Sequence, residues 1–339
     1  MKRILIVRLG ALGDVVHALP AFAALKRAFP SAAIDWLVDY RYAAFLDLIP
    51  LIERRIVVSS RTPAGWFKAI REIRQLSYDV ALDLQGLLKS AVFARASGAK
   101  RVIGFSSEQL REPMARVFYS AVCGPGPIGQ HVIEKNLVLL RTLGIESSEW
   151  TFPIKMPTME VSIKLRRTLD IVKDNPFVLI NPNAGWSNKR WPPDRFGALA
   201  SWLWTSYKLP TVIVWGPSEY GRALEVVEAS EGAARLAPPT TIADLVSLVR
   251  EASLMVSGDS GPLHIAAALG TPIVGIYGPT AGERNGPWAA NDVTVSRHMR
   301  CSCVHRRRCH AETRCLDDIT MEEVVAAVNQ RLHATAFHV

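Results

Sequence analysis

The chain has 339 residues, enough for two domains of ordinary size. Hydrophobic residues make up 49% and charged residues 21%, which excludes a disordered chain, and no apolar run approaches the ~18 residues of a membrane-spanning helix. The net charge of +9 is uneven: residues 1–150 hold 20 basic and 13 acidic side chains, the remainder 20 and 18. The N-terminal half therefore carries most of the positive field, which suits nucleic acid, anionic lipid or an acidic substrate.

The start, MKRILIVRLGALGD, is basic and then apolar, but Arg8 and Asp14 interrupt the apolar stretch. It reads as a first strand rather than a signal peptide. From there short β-branched runs (residues 3–8, 34–38, 56–58, 79–84 and 101–105) alternate with helical patterns (15–29, 65–76, 86–98, 108–121 and 131–143). Such alternation predicts a parallel sheet covered on both faces, and the nearly all-apolar strands agree with burial. Pro153, Pro157 and Pro176 punctuate a linker region. The alternation then restarts, with strands at 177–181, 210–215, 254–257, 273–277 and 293–295 and helices at 193–207, 219–228, 242–251 and 262–269. A last helix, 321–332, opens on Thr320 and Glu323, the spacing of a capping box. The expected fold class is α/β: two Rossmann-like, doubly wound parallel-sheet domains facing a cleft, spanning 1–155 and 156–339.

The first strand runs into Gly10-Ala-Leu-Gly13-Asp14. The spacing is Gly-x-x-Gly, so the dinucleotide fingerprint is absent. Asp14 is a candidate general base at the carboxyl end of a strand; the alternative is that it only caps the following helix. In the second half, the segment from Asn181 to Pro192 offers Lys189 and Arg190, which can neutralise a phosphate or a leaving pyrophosphate, or simply form a solvated pair. Glu219 follows Trp215-Gly-Pro-Ser and can accept from ribose hydroxyls, or serve the helix dipole. The run Ser257-Gly-Asp259-Ser260-Gly261-Pro262-Leu263-His264 enters a Gly-bounded turn and an Ala-rich helix, whose first amides face a place for phosphate. Alone, His264 would read as a core histidine. Tyr277-Gly-Pro-Thr280 is a further small-residue turn near the same edge.

Cys123 stands alone, while Cys301, Cys303, Cys309 and Cys315 lie within fifteen residues. The expected compartment is the reducing cytoplasm, where a disulfide framework is disfavoured. Four close thiolates can hold zinc or iron as a structural site. The spacing is not a paired Cys-x-x-Cys knuckle, however, and reduced, unliganded cysteine is the alternative. Arg306, Arg307 and Arg308 between them are expected to lower the thiol pKa values. Arg61, Lys68, Arg71 and Arg74 form a basic run that either contacts an anionic acceptor or membrane or is a solvated face. A nucleic-acid reading lacks a recognition motif and aromatic interleaving.

Taken together, the segments Gly13-Asp-Val-Val-His-Ala-Leu-Pro20, Asp83-Leu-Gln-Gly-Leu-Leu-Lys89-Ser90, Arg111-Glu-Pro113 with Phe118-Tyr119, Lys189-Arg-Trp-Pro192, Gly258–His264 and Tyr277–Thr280 resemble glycosyltransferase family 9, the ADP-heptose:lipopolysaccharide heptosyltransferases. They span almost the full chain in the family's order, and the Gln-Gly-Leu-Leu-Lys-Ser and Arg-Glu-Pro segments are most similar to the heptosyltransferase I branch. The resemblance implies a GT-B fold and inverting transfer of L-glycero-D-manno-heptose from ADP-heptose to Kdo of the lipopolysaccharide inner core. It implies Asp14 as base and Lys189 as the cation on departing ADP. Gly13, Arg190, Glu219, Asp259, Ser260, Gly261, Pro262, Leu263 and His264 fall on the donor side, with the region of Thr240 near the adenine. Arg61, Lys68, Lys89 and Arg111 are assigned to the acceptor side. No metal is implied for the chemistry. The implied partners are ADP-heptose and anionic Kdo-lipid A, with peripheral association at the cytoplasmic face of the inner membrane. The Cys-rich segment departs from heptosyltransferase I and is similar to a tail in other family members, which leaves two rivals. One is a family 9 enzyme with another acceptor, a second core heptose or a protein. The other is a nucleotide-sugar epimerase of the same two-Rossmann architecture.

Overall fold

A computed structural model describes residues 1–60, 62–124, 131–171, 175–304, 306–309 and 314–336. The chain divides into two compact units, Met1–Lys155 and Met156–Val339.

In the first unit six strands form one parallel sheet: β1 (Arg3–Val7), β2 (Ala33–Asp39), β3 (Arg54–Val58), β4 (Val80–Asp83), β5 (Arg101–Phe105) and β6 (Ala121–Cys123). Their order is β3-β2-β1-β4-β5-β6, with Val7 level with Leu37 on one side and Asp83 on the other. The sequence turns back on itself between β1 and β4, so the loops leaving those two strands diverge at a topological switch point, where ligands of open α/β sheets bind. The helix Leu12–Ala28 follows β1 and is buried over most of its surface, Val15, Val16, Leu19 and Phe22 being fully enclosed. That all-round burial explains why it carries no polar stripe.

The second unit repeats the plan with β7 (Val178–Asn181), β8 (Thr211–Ile213), β9 (Ala234–Leu236), β10 (Leu254–Gly258), β11 (Ile273–Tyr277) and β12 (Val293–Ser296), ordered β12-β11-β10-β7-β8-β9. Its switch point lies between β7 and β10, where Asn181 is level with Ser257. Trp191 and Phe196 are buried edge to face, 4.9 Å between ring centroids, and Trp191 Nε1 donates to the Ile319 carbonyl at 2.9 Å. This pins the end of the loop that leaves β7. The last helix, Met321–Ala336, contributes Val324 and Val328 to the same core.

The expected α/β alternation is present in both halves. The expected helix over 108–121 is instead two 3-10 turns, Ser107–Gln109 and Pro113–Phe118, followed by β6; Pro113 lacks the amide that a continuous helix needs. The three-residue edge strands β6 and β9 and the helix Met159–Thr168 were not expected. Thr320 and Glu323 form the reciprocal cap, Glu323 accepting from the Thr320 amide at 2.9 Å and Thr320 Oγ1 from the Glu323 amide at 3.3 Å. No helix among the described residues is long and apolar enough to cross a membrane.

Candidate active site

In the first unit, Asp14 sits in the first turn of Leu12–Ala28. One carboxylate oxygen accepts from the Ala11 amide at 3.0 Å; the other lies 2.6 Å from Arg8 Nη2. The capping alternative is therefore realised, but the side chain stays 42% exposed, so the same carboxylate is open to solvent. Arg8 is buried, and its Nη1 donates to the Leu84 carbonyl. This guanidinium ties the loops after β1 and β4 together and fixes the direction in which Asp14 points. Gly13 is buried in the helix. Gly10 has φ +145, and a Cβ there would meet the Tyr42 ring at 2.2 Å, so only glycine fits the turn.

Asp83, at the end of β4, organises the next loop. It is enclosed, and it accepts from the amides of Gln85 (2.9 Å) and Gly86 (3.0 Å), from Ser90 Oγ (2.8 Å) and from the Tyr119 hydroxyl (2.7 Å). Burial pushes its pKa up, against the lowering effect of those bonds. The loop it holds leads into the helix Leu88–Ala96, which carries Lys89 in its first turn; the Lys89 ammonium lies 4.8 Å from the centre of the Trp66 ring. Glu112 accepts from the Leu88 amide at 2.7 Å, which brings the Arg111 segment beside Lys89. Arg111 and Lys68 are exposed. Arg61 lies outside the described residues.

In the second unit the loops leaving β7, β10 and β11 converge on Asp259. Lys189 Nζ is 2.5 Å from its Oδ2, and Thr280 Oγ1 donates to the same oxygen at 2.8 Å. Oδ1 is paired with His264 Nε2 at 3.1 Å and accepts from Asn285 Nδ2 at 3.0 Å. Burial alone would raise this carboxyl's pKa, but the His264 hydrogen bond and the Lys189 charge outweigh it and hold Asp259 well below the usual carboxylate range. Asp259 is thus the anchor of Lys189, with both oxygens engaged. Gly258 lets the loops close: a Cβ there would lie 2.8 Å from the Lys189 carbonyl oxygen. Beneath them, Asn181 Nδ2 donates to Ser260 Oγ at 3.0 Å, and Ser257 and Ser260 hydroxyls are 2.9 Å apart. Ser260 precedes the nine-residue helix Gly261–Leu269, which contains Pro262, Leu263 and His264; its early amides and positive dipole end favour an anion.

The remaining predicted residues divide. Arg190 Nε donates to the Ala184 carbonyl at 3.0 Å, inside the Lys189 loop. Glu219 accepts from the Gly216 amide at 2.9 Å, closing its own turn. Thr240 is half-buried just ahead of Thr241, which caps the helix Ile242–Glu251. Cys315 lies near enough to Cys301 and Cys309 to be affected by both: burial and these thiol neighbours push Cys315 up to about 12. That is opposite to the shift expected from the arginines, which are exposed. Among the described residues no group of three or more Cys, His, Asp or Glu is arranged to hold a metal. Sequence reading missed Arg8, Asp83 and Asn285. A carboxylate ending a buried strand was the available signal for Asp83; Asn285 had none.

The family profile "Glycosyltransferase family 9 (heptosyltransferase)" matches residues 66–314. The chain is 29% identical over 322 residues to lipopolysaccharide heptosyltransferase 1 of Pseudomonas aeruginosa, covering 91% of this chain and 87% of that protein. Against lipopolysaccharide heptosyltransferase 1 of Escherichia coli K12 it is 29% identical over 307 residues, covering 86% and 92%. The solved structure of E. coli heptosyltransferase WaaC with ADP superposes with a TM-score of 0.76 at 24% identity, over 97% of this chain and all of that one, and shares its GT-B fold.

Proposed function

The chain belongs to glycosyltransferase family 9, and from that membership we propose that it is a heptosyltransferase of the lipopolysaccharide core. The donor is ADP-L-glycero-β-D-manno-heptose, and the acceptor is a hydroxyl of Kdo on lipid A. The acceptor oxygen attacks the anomeric carbon, Asp14 takes its proton, and the bond from that carbon to the diphosphate breaks with inversion, releasing ADP. Lys189 offsets the charge that grows on the departing diphosphate. Arg190 and the first amides of Gly261–Leu269 receive the same group, and Asp259 holds Lys189 in place. The observation that carries this reading is the Lys189–Asp259 pair, a cation fixed by a saturated, buried carboxylate just ahead of the helix Gly261–Leu269.

Lys89, Arg111 and Lys68 belong to the acceptor side in this reading. The exposed face of the helix Pro63–Arg74 meets the anionic cytoplasmic leaflet, since it presents Lys68, Arg71 and Arg74 around Phe67, which is 72% exposed. Supplying ADP-heptose with Kdo-lipid A, and in parallel with Kdo-lipid A that already carries one heptose, tests the assignment. Transfer to the first acceptor is expected. Transfer only to the second moves the enzyme one step along the core, and no transfer to either rejects the reading. Asp14→Ala should reduce turnover by at least about a thousandfold, taking general-base catalysis and acceptor positioning together, while ADP affinity measured by calorimetry stays within about twofold of the parent.

A further inference from the structure

Lys189 is only half available to a diphosphate, because Asp259 sits 2.5 Å away and offsets its charge. A group carrying two or more negative charges needs further positive charge at the same place. The arginine triplet within the Cys-rich stretch, expected from the sequence to act on the thiols, lies beside it. Buried Asn188, the neighbour of Lys189, donates from Nδ2 to the Arg306 carbonyl at 2.8 Å. The triplet is held from its other side by the Arg306 amide donating to the Cys303 carbonyl at 3.0 Å and by the Cys303 amide donating to Cys301 Sγ at 3.4 Å. Cys303 itself is buried. The Trp186 ring is shared: Lys189 Nζ lies 4.3 Å and Arg307 Cζ 5.9 Å from its centre. Arg306, Arg307 and Arg308 are exposed.

We propose that Arg307 is a second diphosphate-binding cation, presented at the Lys189 site by the Cys-rich segment and steered by the Trp186 ring that both cations share. The planar guanidinium supplies the paired donors that match phosphate oxygens, while Trp186 limits its swing. Cys301 and Cys303, through the bonds that lead to the Arg306 backbone, then act as a brace for the neighbouring arginine. This assignment rests on the reading that the second unit takes an ADP-sugar.

Calorimetric titration of the full chain with ADP, and ligand-observed binding of adenosine, test it. Arg307→Gln should weaken ADP about tenfold, the scale of one lost charge-assisted hydrogen bond, and leave adenosine within about twofold. Arg307→Lys should recover part of the loss, and Arg308→Gln should change neither ligand. Unchanged ADP affinity in Arg307→Gln overturns the proposal. So does an equal loss for ADP and adenosine, which marks a collapsed loop, and so does an equal ADP loss in Arg308→Gln, which marks a diffuse field. Failure of the unaltered protein to bind ADP at all overturns the donor reading itself, and the Arg307 assignment with it.

Discussion

At the scale of single residues, Asp259 shows how a single cation is held in place. Its two oxygens take four side chains from the segments that follow β7, β10 and β11, so removing its charge takes away the counterion of the half-buried Lys189. Asp259→Asn should destabilise the second unit by about 3–5 kcal/mol and lower kcat/KM together with ADP affinity. In combination with Lys189→Met the loss should be well short of additive, because the two side chains form one interaction. The pH dependence follows from the depressed native pKa. A carboxylate held below its unfolded value of ~3.9 stabilises fully above that value and loses its contribution as pH falls through the native one. The stability gap between parent and Asp259→Asn should therefore narrow as pH falls below about pH 4; a gap that stays constant down to about pH 2 would remove the depressed carboxylate as the cause. Lys189, Asp259 and His264 were legible in the sequence because each sits in a short string of turn residues after an apolar run. Asn285 was not, since it reaches Asp259 across 26 positions from a segment with no pattern of its own. Arg8 read as an interruption of a strand; its partners, Leu84 and Asp14, are supplied by the switch point.

At the scale of elements, the two switch points place the residues of the proposed site, and glycine decides how closely the loops approach. Gly258 ends β10 with the Lys189 carbonyl 2.8 Å from where a Cβ would stand. Backbone cannot yield as a flexible side chain would, so Gly258→Ala should cost about 1–3 kcal/mol and displace Lys189. Its effect should appear as weakened ADP binding in a fold that still melts cooperatively. A variant with parental ADP affinity would show that the loop tolerates the shift. The longer buried strands were readable as apolar runs bounded by turns. The edge strands β6 and β9 were not, because three residues, with Arg235 exposed in the middle of β9, make neither an alternation nor a run. The stretch 108–121 misled for a related reason: its apolar spacing suits a helix, but Pro113 and the closing β6 divide it into short turns.

At the scale of the whole molecule, charge is divided unevenly, and the proposed roles divide with it. The N-terminal half holds the excess of seven positive charges, and the helix Pro63–Arg74 exposes three of them around Phe67. If this face meets an anionic leaflet, the full chain should sediment with vesicles containing phosphatidylglycerol and not with phosphatidylcholine alone. Each basic side chain near such a surface contributes about 1 kcal/mol, so replacing Lys68, Arg71 and Arg74 together by Gln should weaken binding roughly a hundredfold and flatten its dependence on salt. Phe67→Ser should weaken it by a smaller factor that salt does not alter, because insertion of an aromatic ring is an apolar term. Neither variant should change ADP affinity, since Lys189, Asp259 and the helix Gly261–Leu269 all belong to the other unit. Unaltered sedimentation of the triple variant would return this helix to the status of a solvated face and leave anionic recognition to Lys89 and Arg111.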